Sequence, residues 1–446
     1  MTVALWASIV QAETTENSRW ADGGKSRDVL QLASADVTVS IRPVPRPLIE
    51  ALPVASATTA RFQSWLGAFQ GRARRQGISQ GTLTQVFSGM SYDEDVLERD
   101  RNQAEFSKPI WEYLETAVSE TRLSNGRAAM QRHRQVLNRI EAEYGVEKEV
   151  VTAIWGLETS FGSYRGSSPT LRSLATLAFD ARRAQFFETQ LVAALRIVQA
   201  GDISAGNMLG SWAGAMGHTQ FMPTSYLDHA VDFDGDGRRD IWSDDPTDAL
   251  ASAASYLARH GWTTGQPWGV EVRLPTDFDY ASARRDFTLM PSEWAAQGVV
   301  ARDGTVVPDH GKAAILLPAG SQGVALMIFE NFSVIETYNG ADAYVIGIGH
   351  LSDRLAGGAP FQSDWPRGDR VLSFAEKKEL QTRLTDAGFD TKGVDGRTGP
   401  NTINAVRAYQ MAQGLVPDGY PTPNLLERLR QEKAARMGRL KRRINR

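Results

Sequence analysis

Apolar residues that recur at spacings of three and four constrain the fold of this chain more than any other feature. Phe62, Trp65, Leu66 and Phe69 follow this spacing, which places their side chains on one face of an α-helix. The same kind of pattern predicts further helices near residues 106–122, 131–144, 148–157, 184–200, 245–260 and 341–355. We therefore predict a mainly α protein that is ordered from about residue 61.

Short apolar runs of β character interrupt the helical pattern at residues 270–274, 314–317 and 324–329. They are separated by Gly, Pro and Asp, which favour turns between strands. We interpret these runs as a small β-containing insertion in a helical domain that spans residues 61–355.

Segments without helical periodicity flank this domain. Within residues 1–60, the sequence Arg-Pro-Val-Pro-Arg-Pro at 42–47 cannot sustain a helix. A linker is predicted at 356–370, followed by a separate compact segment at 371–430 and a basic tail at 431–446. We expect the tail to be a solvated, frayed helix end, although a weak electrostatic contact with anionic polymers or lipid headgroups is the alternative.

The composition excludes several classes of protein. A chain of 446 residues accommodates two or three domains, and a net charge of −3 gives no reason to expect nucleic acid as a partner. Cysteine is absent, which excludes disulfides, a thiolate nucleophile, a cysteine-ligated metal and a lipid-modified N-terminal cysteine. No apolar run approaches the ~20 residues that span a bilayer, so we expect no transmembrane segment.

The N-terminus is typical of a secretory signal in part only. Residues 3–10 are mostly apolar, and Val10-Gln11-Ala12 resembles a small-residue cleavage site, but a basic region is missing before them. We expect either a signal whose true start codon lies upstream or simply an apolar N-terminus.

The sequence Val-Thr-Ala-Ile-Trp-Gly-Leu-Glu-Thr-Ser-Phe-Gly at residues 151–162 places one acidic residue near the end of an apolar helix. The neighbours Trp155, Leu157 and Phe161 would desolvate Glu158, and desolvation raises the pKa of a carboxyl. A carboxyl that keeps its proton near neutral pH can act as the general acid in glycosidic bond cleavage. On local composition alone, a structural Glu that caps a helix or pairs with an arginine is favoured.

Two later segments carry groups that suit a saccharide. Residues 211–226 combine glycines, which permit close backbone approach, with the polar side chains of Ser211, Gln220 and Tyr226. Residues 330–344 add aromatic and amide side chains. Taken singly, each segment is also consistent with a turn in the protein core.

Together these segments resemble the lytic murein transglycosylase B family over roughly residues 61–355. The matching stretches are Asp-Arg-Asn-Gln-Ala-Glu-Phe at 100–106, Trp-Gly-Leu-Glu-Thr-Ser-Phe-Gly at 155–162, Arg-Arg-Ala-Gln-Phe-Phe at 182–187, Ala-Gly-Ala-Met-Gly at 213–217 and Gln-Phe-Met-Pro at 220–223. The resemblance implies a lysozyme-like α+β catalytic domain with Glu158 as the catalytic glutamate. It implies substrate-binding roles for Ser211, Met216, Gln220, Tyr256, Tyr338, Asn339 and Tyr344, whereas His218 receives no role.

The resemblance also implies the reaction and its location. Glu158 would protonate the glycosidic oxygen between N-acetylmuramic acid and N-acetylglucosamine, and the muramic 2-acetamido group would replace the second carboxylate of a conventional glycosidase. Glu158 would then accept the C6 hydroxyl proton, which gives a 1,6-anhydromuramoyl end. The expected enzyme is periplasmic, requires no cofactor and has peptidoglycan strands as its partner.

An acidic loop resembles the opening of an EF-hand calcium site, with Asp232, Asp234 and Asp236 at the first three ligand positions and Asp240 at the ninth. Position 12 is Ser243 rather than the bidentate Glu of that motif. Two interpretations of this loop therefore stay open: a structural Ca²⁺ site, or a turn rich in Asx hydrogen bonds.

The segment 371–430 resembles the three-helix peptidoglycan-binding module. Asp395-Gly396 predicts a tight turn, and Thr398 is predicted to cap the helix that follows. A module on a flexible linker would raise the effective concentration of the catalytic domain at the wall. The alternative is a compact helical cap without a binding role.

Three rival functions remain at the level of sequence. A wall peptidase or amidase needs zinc ligands or a nucleophile, but the six histidines show neither His-Glu-x-x-His nor His-x-His spacing. A non-enzymatic wall scaffold would not need Glu158 within its motif. A true muramidase differs from a lytic transglycosylase only in its product.

Overall fold

The computed structural model describes residues 54–102, 108–180 and 183–444, and this part of the chain is mainly helical. The first half of the region 54–355 contains α1 (Val54–Arg75), α2 (Gln80–Phe87), α3 (Glu94–Asn102), α4 (Ile110–Ala117), α5 (Glu120–Arg132), α6 (Arg134–Tyr144), α7 (Lys148–Thr159), α8 (Thr170–Asp180) and α9 (Ala184–Ala200). Later helices of the same region are α10 (Pro223–His229), α11 (Thr247–Arg259), α12 (Pro291–Ala296), α13 (Glu330–Tyr338) and α14 (Asp342–Leu355). The helices of this region share one large apolar core, from which α12 is separate.

The predicted β-containing insertion is present and contains the strands β3 (Gly269–Arg273), β4 (Val300–Ala301), β5 (Ala314–Leu316) and β6 (Ala325–Ile328). They form a four-stranded antiparallel sheet in the order β4-β3-β6-β5. A separate two-stranded ribbon pairs β1 (Ser168–Pro169) with β2 (Leu209–Gly210). The insertion has its own small core around Trp294, which is fully buried.

Two predicted helix boundaries are wrong. The helix predicted at 106–122 is broken, because α4 ends at Ala117 and Ser119 caps α5 by accepting a hydrogen bond from the backbone N–H of Arg122. Helix α1 begins at Val54, within the segment predicted as a linker. The N-terminal signal prediction, by contrast, falls on residues outside the described part of the chain.

The C-terminal region forms α15 (Phe374–Asp386), α16 (Pro400–Ala412) and α17 (Pro423–Ile444) around a third core. The turn predicted at Asp395 is confirmed, because its carboxylate accepts the backbone N–H of Arg397. The cap prediction is wrong, since the residue that precedes α16 is Gly399 and no side chain caps that helix. The segment predicted as a basic tail continues α17 to Ile444.

Residues 356–370 contain no helix or strand, yet they pack against the preceding region. Phe361 stacks on His350 with ring centroids 3.9 Å apart. The backbone N–H groups of Gln362 and Ser363 donate to the carboxylate of Glu271 at 2.8 and 2.7 Å. The expectation of a flexible linker is therefore wrong for this segment.

The C-terminal region also contacts the insertion directly, through α16 and the loop that follows it. Asp418 accepts hydrogen bonds from the backbone N–H and the hydroxyl of Ser321 at 3.0 and 2.9 Å. Arg407 donates from Nη2 to the carbonyl oxygen of Ala283 at 2.8 Å. The module is thus docked on the insertion. Within the described ranges, no helix is long and apolar enough to cross a membrane.

Candidate active site

Helix α7 carries Glu158 in its last turn and lies within the main core, with nine of its twelve residues buried. The chain leaves the helix through Ser160 and Phe161, whose φ angles of 50° and 57° lie in the left-handed region. Such backbone conformations cost about 1–3 kcal/mol each in residues other than glycine, and they concentrate at functional sites. Gly156 permits the fold-back, because a Cβ there would lie 2.7 Å from the ring of Phe161.

The Glu158 carboxyl is buried, with 8% of the residue exposed. Its Oε1 atom accepts a hydrogen bond from the hydroxyl of Tyr344 on α14 at 2.7 Å. Burial raises the pKa of Glu158 to about 8, although the Tyr344 hydrogen bond acts in the opposite direction. Glu158 therefore holds a proton at neutral pH, as a general acid must.

The rings around this carboxyl differ in part from those expected. Burial raises the pKa of three tyrosines from other helices, and the nearby carboxylate of ionised Glu158 raises each further: Tyr113, Tyr338 and Tyr344. Trp155 instead packs edge-on against Phe161 and His218. The interaction of Tyr113 with Glu158 was not predicted, because a single aromatic residue in a helical pattern is typical of an ordinary core position.

His218, which received no role from the sequence, connects α7 to the acidic loop. Its Nδ1 accepts from the indole N–H of Trp155 at 3.1 Å, so Nε2 carries the proton and donates to the carbonyl of Ser243 at 2.7 Å. Its own carbonyl accepts from the hydroxyl of Thr159 at 2.6 Å. Burial lowers the pKa of His218, so it is neutral at pH 7 and supports the end of α7.

The seven predicted substrate-binding residues lie on three segments around α7. Gln220, which has a φ of 55°, donates to the carbonyls of Gly217 and Arg165 at 2.9 and 3.1 Å. Ser211 is half-buried, and its hydroxyl accepts from the backbone N–H of Ala215. Met216 has no exposed surface, so it supports this wall from within.

The remaining predicted residues form an aromatic wall with their hydroxyl groups fixed. The Tyr256 and Tyr338 rings lie 5.0 Å apart, and their hydroxyls donate to the carbonyls of Thr337 and Thr219 at 2.7 and 2.6 Å. Asn339 is buried and accepts from the backbone N–H of Ala341. The structure therefore brings these residues to the region of Tyr344 and Glu158.

Two expectations about residues 211–226 are wrong. Gly217 is required for contact with the protein itself, because a Cβ there would lie 2.3 Å from the carbonyl oxygen of Ile241. Tyr226 is fully buried, and its hydroxyl donates to the carbonyl of Arg239. Close packing between segments, rather than approach to a sugar, explains both residues.

The acidic loop brings together three of its four predicted ligands. Carboxylate oxygens of Asp232, Asp234 and Asp236 lie within 4.8 Å of one another, and all three residues are exposed. Asp240 is outside this cluster, because its Oδ1 accepts the backbone N–H groups of Trp242 and Ser243. Its prediction as a ligand is therefore not supported by the geometry.

Asx hydrogen bonds also shape this loop, so both interpretations of it retain support. Asp232 accepts from the backbone N–H groups of Gly235 and Gly237 at 2.8 and 2.9 Å. Asp248, which the sequence did not single out, accepts three more backbone N–H groups from beneath the loop. Three clustered carboxylates suit a hard cation such as Ca²⁺, which binds oxygen ligands.

Comparison with known proteins agrees with this geometry. The model of a transglycosylase SLT domain matches residues 61–353. The chain belongs to the SLT transglycosylase family. It is therefore an enzyme of a family that acts on peptidoglycan, and the model of a peptidoglycan-binding domain matches residues 375–429.

Individual relatives extend the comparison. Membrane-bound lytic murein transglycosylase B of Escherichia coli K12 is 31% identical over 298 residues, which cover 63% of this chain and 80% of that protein. The structure of SltB3 from Pseudomonas aeruginosa, in complex with NAG-anhNAM-pentapeptide, has a TM-score of 0.80 and 46% identity and covers 83% of this chain and 99% of that one. Escherichia coli Slt35 in complex with calcium has a TM-score of 0.56 and 27% identity, with 71% and 98% covered.

Proposed function

We propose that this protein is a periplasmic lytic transglycosylase that cleaves the β-1,4 bond between N-acetylmuramic acid and N-acetylglucosamine in peptidoglycan and leaves 1,6-anhydromuramoyl ends. The observation that carries the proposal is Glu158, a buried carboxyl with a pKa of about 8 and a tyrosine hydroxyl on one oxygen. The SltB3 complex with a NAG-anhNAM ligand supports the anhydro product by homology.

Glu158 performs both proton transfers in this mechanism. Its protonated oxygen donates to the glycosidic oxygen as the bond to the anomeric carbon breaks. The muramic 2-acetamido group stabilises the positive anomeric carbon, a role that a second carboxylate fills in conventional glycosidases. The ionised Glu158 then accepts the C6 hydroxyl proton as that oxygen closes onto C1, and no water is consumed.

A single acid is consistent with the surroundings of Glu158. Two causes shift the pKa of Glu158, namely its burial and the hydrogen bond from Tyr344. Within the described part of the chain, no second carboxylate contributes to this shift. We assign contact with sugar hydroxyls and acetamides to the polar groups of the cleft, and wall support to Met216. The polar residues are Ser211, Gln220, Tyr256, Tyr338, Asn339 and Tyr344.

Mass spectrometry of products from purified sacculi tests the reaction. A lytic transglycosylase gives muropeptides that are one water lighter than those of a hydrolase, because the muramic C6 oxygen replaces water. Reducing muramic ends as the main product would identify a muramidase instead.

The C-terminal helices are proposed to hold the enzyme on the wall. Deletion of residues 371–446 should weaken co-sedimentation with insoluble sacculi and leave cleavage of short soluble glycan chains within a few-fold. Equal sedimentation of both proteins would refute the targeting role. Because the module is docked through Asp418 and Arg407, it would add a fixed binding surface rather than a tethered one.

The acidic loop is proposed to bind a structural Ca²⁺ through Asp232, Asp234 and Asp236. The clustered oxygens support the site, and so does the Slt35 complex with calcium. The ion would neutralise repulsion between the three carboxylates and takes no part in proton transfer.

A further inference from the structure

Arg285 of the insertion contacts the turn between α13 and α14. Its Nη1 lies 2.7 Å from Oε1 of Glu336, in the last turn of α13, and its Nη2 bonds to the carboxylate of Asp342, the first residue of α14. The guanidinium carbon also lies 5.0 Å from the centroid of the Phe332 ring. One side chain therefore holds two helix ends and an aromatic face.

The α13–α14 turn that Arg285 contacts carries part of the proposed cleft. Tyr338 is the last residue of α13, Asn339 follows it, and Tyr344 lies in the first turn of α14, two residues after Asp342. The hydroxyl of Tyr344 donates to Glu158 at 2.7 Å. A shift of the N-terminal end of α14 would therefore change the contact that orients the acid.

The charges at this turn explain why a cation is needed. A negative side chain is favourable at a helix N-terminus, as for Asp342, but unfavourable in the last turn, as for Glu336. Without Arg285, two carboxylates that now share one guanidinium would repel each other. Both carboxylate side chains are 31–40% exposed, so water screens this repulsion only in part.

We propose that Arg285 is a positioning residue for the transglycosylase reaction. Its side chain fixes the α13–α14 turn, so that Tyr344 keeps its contact with Glu158. This role rests on the proposed function of Glu158. The insertion then contributes to the geometry of the active site. Arg407 of α16 donates to the carbonyl of Ala283, two residues from Arg285, so the C-terminal region contacts the same segment.

A matched pair of variants tests the proposal. Arg285→Ala removes the ion pairs with Glu336 and Asp342. Arg284→Ala removes a neighbouring guanidinium whose ion pair with Asp286 is largely exposed. With soluble glycan strands as substrate, we expect Arg285→Ala to lower kcat on the order of tenfold, since small misplacements of catalytic groups have such effects. We expect Arg284→Ala to match the unmodified enzyme.

The pH profile separates positioning from loss of folded protein. The titratable groups that face Glu158 are Tyr113 of α4, Tyr338 of α13 and Tyr344 of α14, with Arg122 of α5 beside Tyr113. The Tyr344 hydrogen bond lowers the pKa of Glu158, so its loss should move the alkaline limb of kcat/KM to higher pH. A smaller folded fraction would lower the rate at every pH without moving this limb.

A double-mutant cycle decides whether Arg285 acts through Tyr344. We expect Arg285→Ala combined with Tyr344→Phe to be no slower than Tyr344→Phe alone. Additive losses, or an unmoved alkaline limb, would overturn the proposal. Arg285→Lys keeps the charge without the two-pronged geometry, so it should recover part of the rate and serves if the alanine variant folds poorly.

Glu158→Gln completes the set of controls. If this variant retains normal activity, the proposed function itself fails. If it is inactive while Arg285→Ala matches Arg284→Ala, only the positioning role is overturned.

Discussion

The Glu158 site and the acidic loop at residues 232–240 hold carboxyl groups in opposite ways. Glu158 is buried and receives one side-chain hydrogen bond, from Tyr344, and burial raises its pKa to about 8. The loop residues Asp232, Asp234 and Asp236 are exposed, and Asp232 and Asp240 each accept two backbone N–H groups. Burial tunes proton affinity at a cost in stability, whereas backbone N–H groups order a loop around ionised groups. A carboxyl group is thus desolvated by the protein core in one region and hydrogen-bonded to the backbone of an exposed loop in the other.

The largest expected effect is the loss of turnover in Glu158→Gln. The amide is nearly the same size but cannot donate a proton as an acid, and the loss of one general acid costs on the order of 10²–10⁴-fold. Release of soluble muropeptides from sacculi measures it. Asp236→Asn provides the matched control, since it makes the same chemical change in the loop and should retain activity. Near-normal digestion by Glu158→Gln would show that Glu158 is not the general acid, and the contrast between its site and the acidic loop would then have no catalytic meaning.

Glu158→Gln should also be more stable than the unmodified protein at neutral pH. Native Glu158 keeps its proton up to about pH 8, whereas an unfolded chain loses it near the ordinary pKa of about 4.3. Native stability from this group therefore falls as the pH rises between these values, by on the order of a few kcal/mol. The excess Tm of Glu158→Gln should be small at pH 4 and should widen toward pH 8. A constant difference across this range would show that the carboxyl is not held in its neutral form.

Calcium should stabilise the loop by a comparable or smaller amount. An ion that binds only the native state adds RT ln(1 + [L]/Kd), which is about 2.7 kcal/mol at 100 times Kd. Thermal unfolding with calcium and with chelator measures the gain, which Asp234→Ala plus Asp236→Ala should abolish. Asp240→Ala should lower the basal Tm, since Asp240 accepts two backbone N–H groups, and should keep the calcium-dependent shift. Identical curves for the unmodified protein in both conditions would leave only the Asx-turn interpretation.

Local patterns predicted the fold well wherever one helix or strand determines its own boundaries. Helix α11 (Thr247–Arg259) lies within the helix predicted at 245–260, and the β runs form strands of the insertion sheet. The break before α5 was missed because apolar spacing continues across it, and only the Ser119 cap marks the new start. The docked linker was also missed, since its contacts join Phe361 to His350 across the fold.

The active site divides in the same manner. Roles for Glu158 and Tyr344 were predicted from the motif resemblance, and the structure places a hydrogen bond between them, whereas local composition alone favoured a structural Glu. The contacts of His218, Tyr113 and Arg285 were not predicted, because they join segments that lie far apart in the sequence. Trp155 to His218, for example, spans 63 residues. A sequence pattern gives the type of chemistry, while the groups that tune it are defined by tertiary packing.

The smallest expected effect is that of Tyr344→Phe, and it tests whether a neighbour tunes the buried acid. The hydroxyl of Tyr344 stabilises the charged form of Glu158 and so lowers its pKa. Its removal should raise the pKa above about 8, which moves the alkaline limb of kcat/KM upward, and should slow the reaction roughly tenfold because a weaker acid donates its proton less readily. Tyr256→Phe is the control, because its hydroxyl donates to the carbonyl of Thr337 instead, and the limb should stay in place. If both variants leave the limb unmoved, burial alone sets the pKa of Glu158, and the contrast with the hydrogen-bonded loop becomes sharper still.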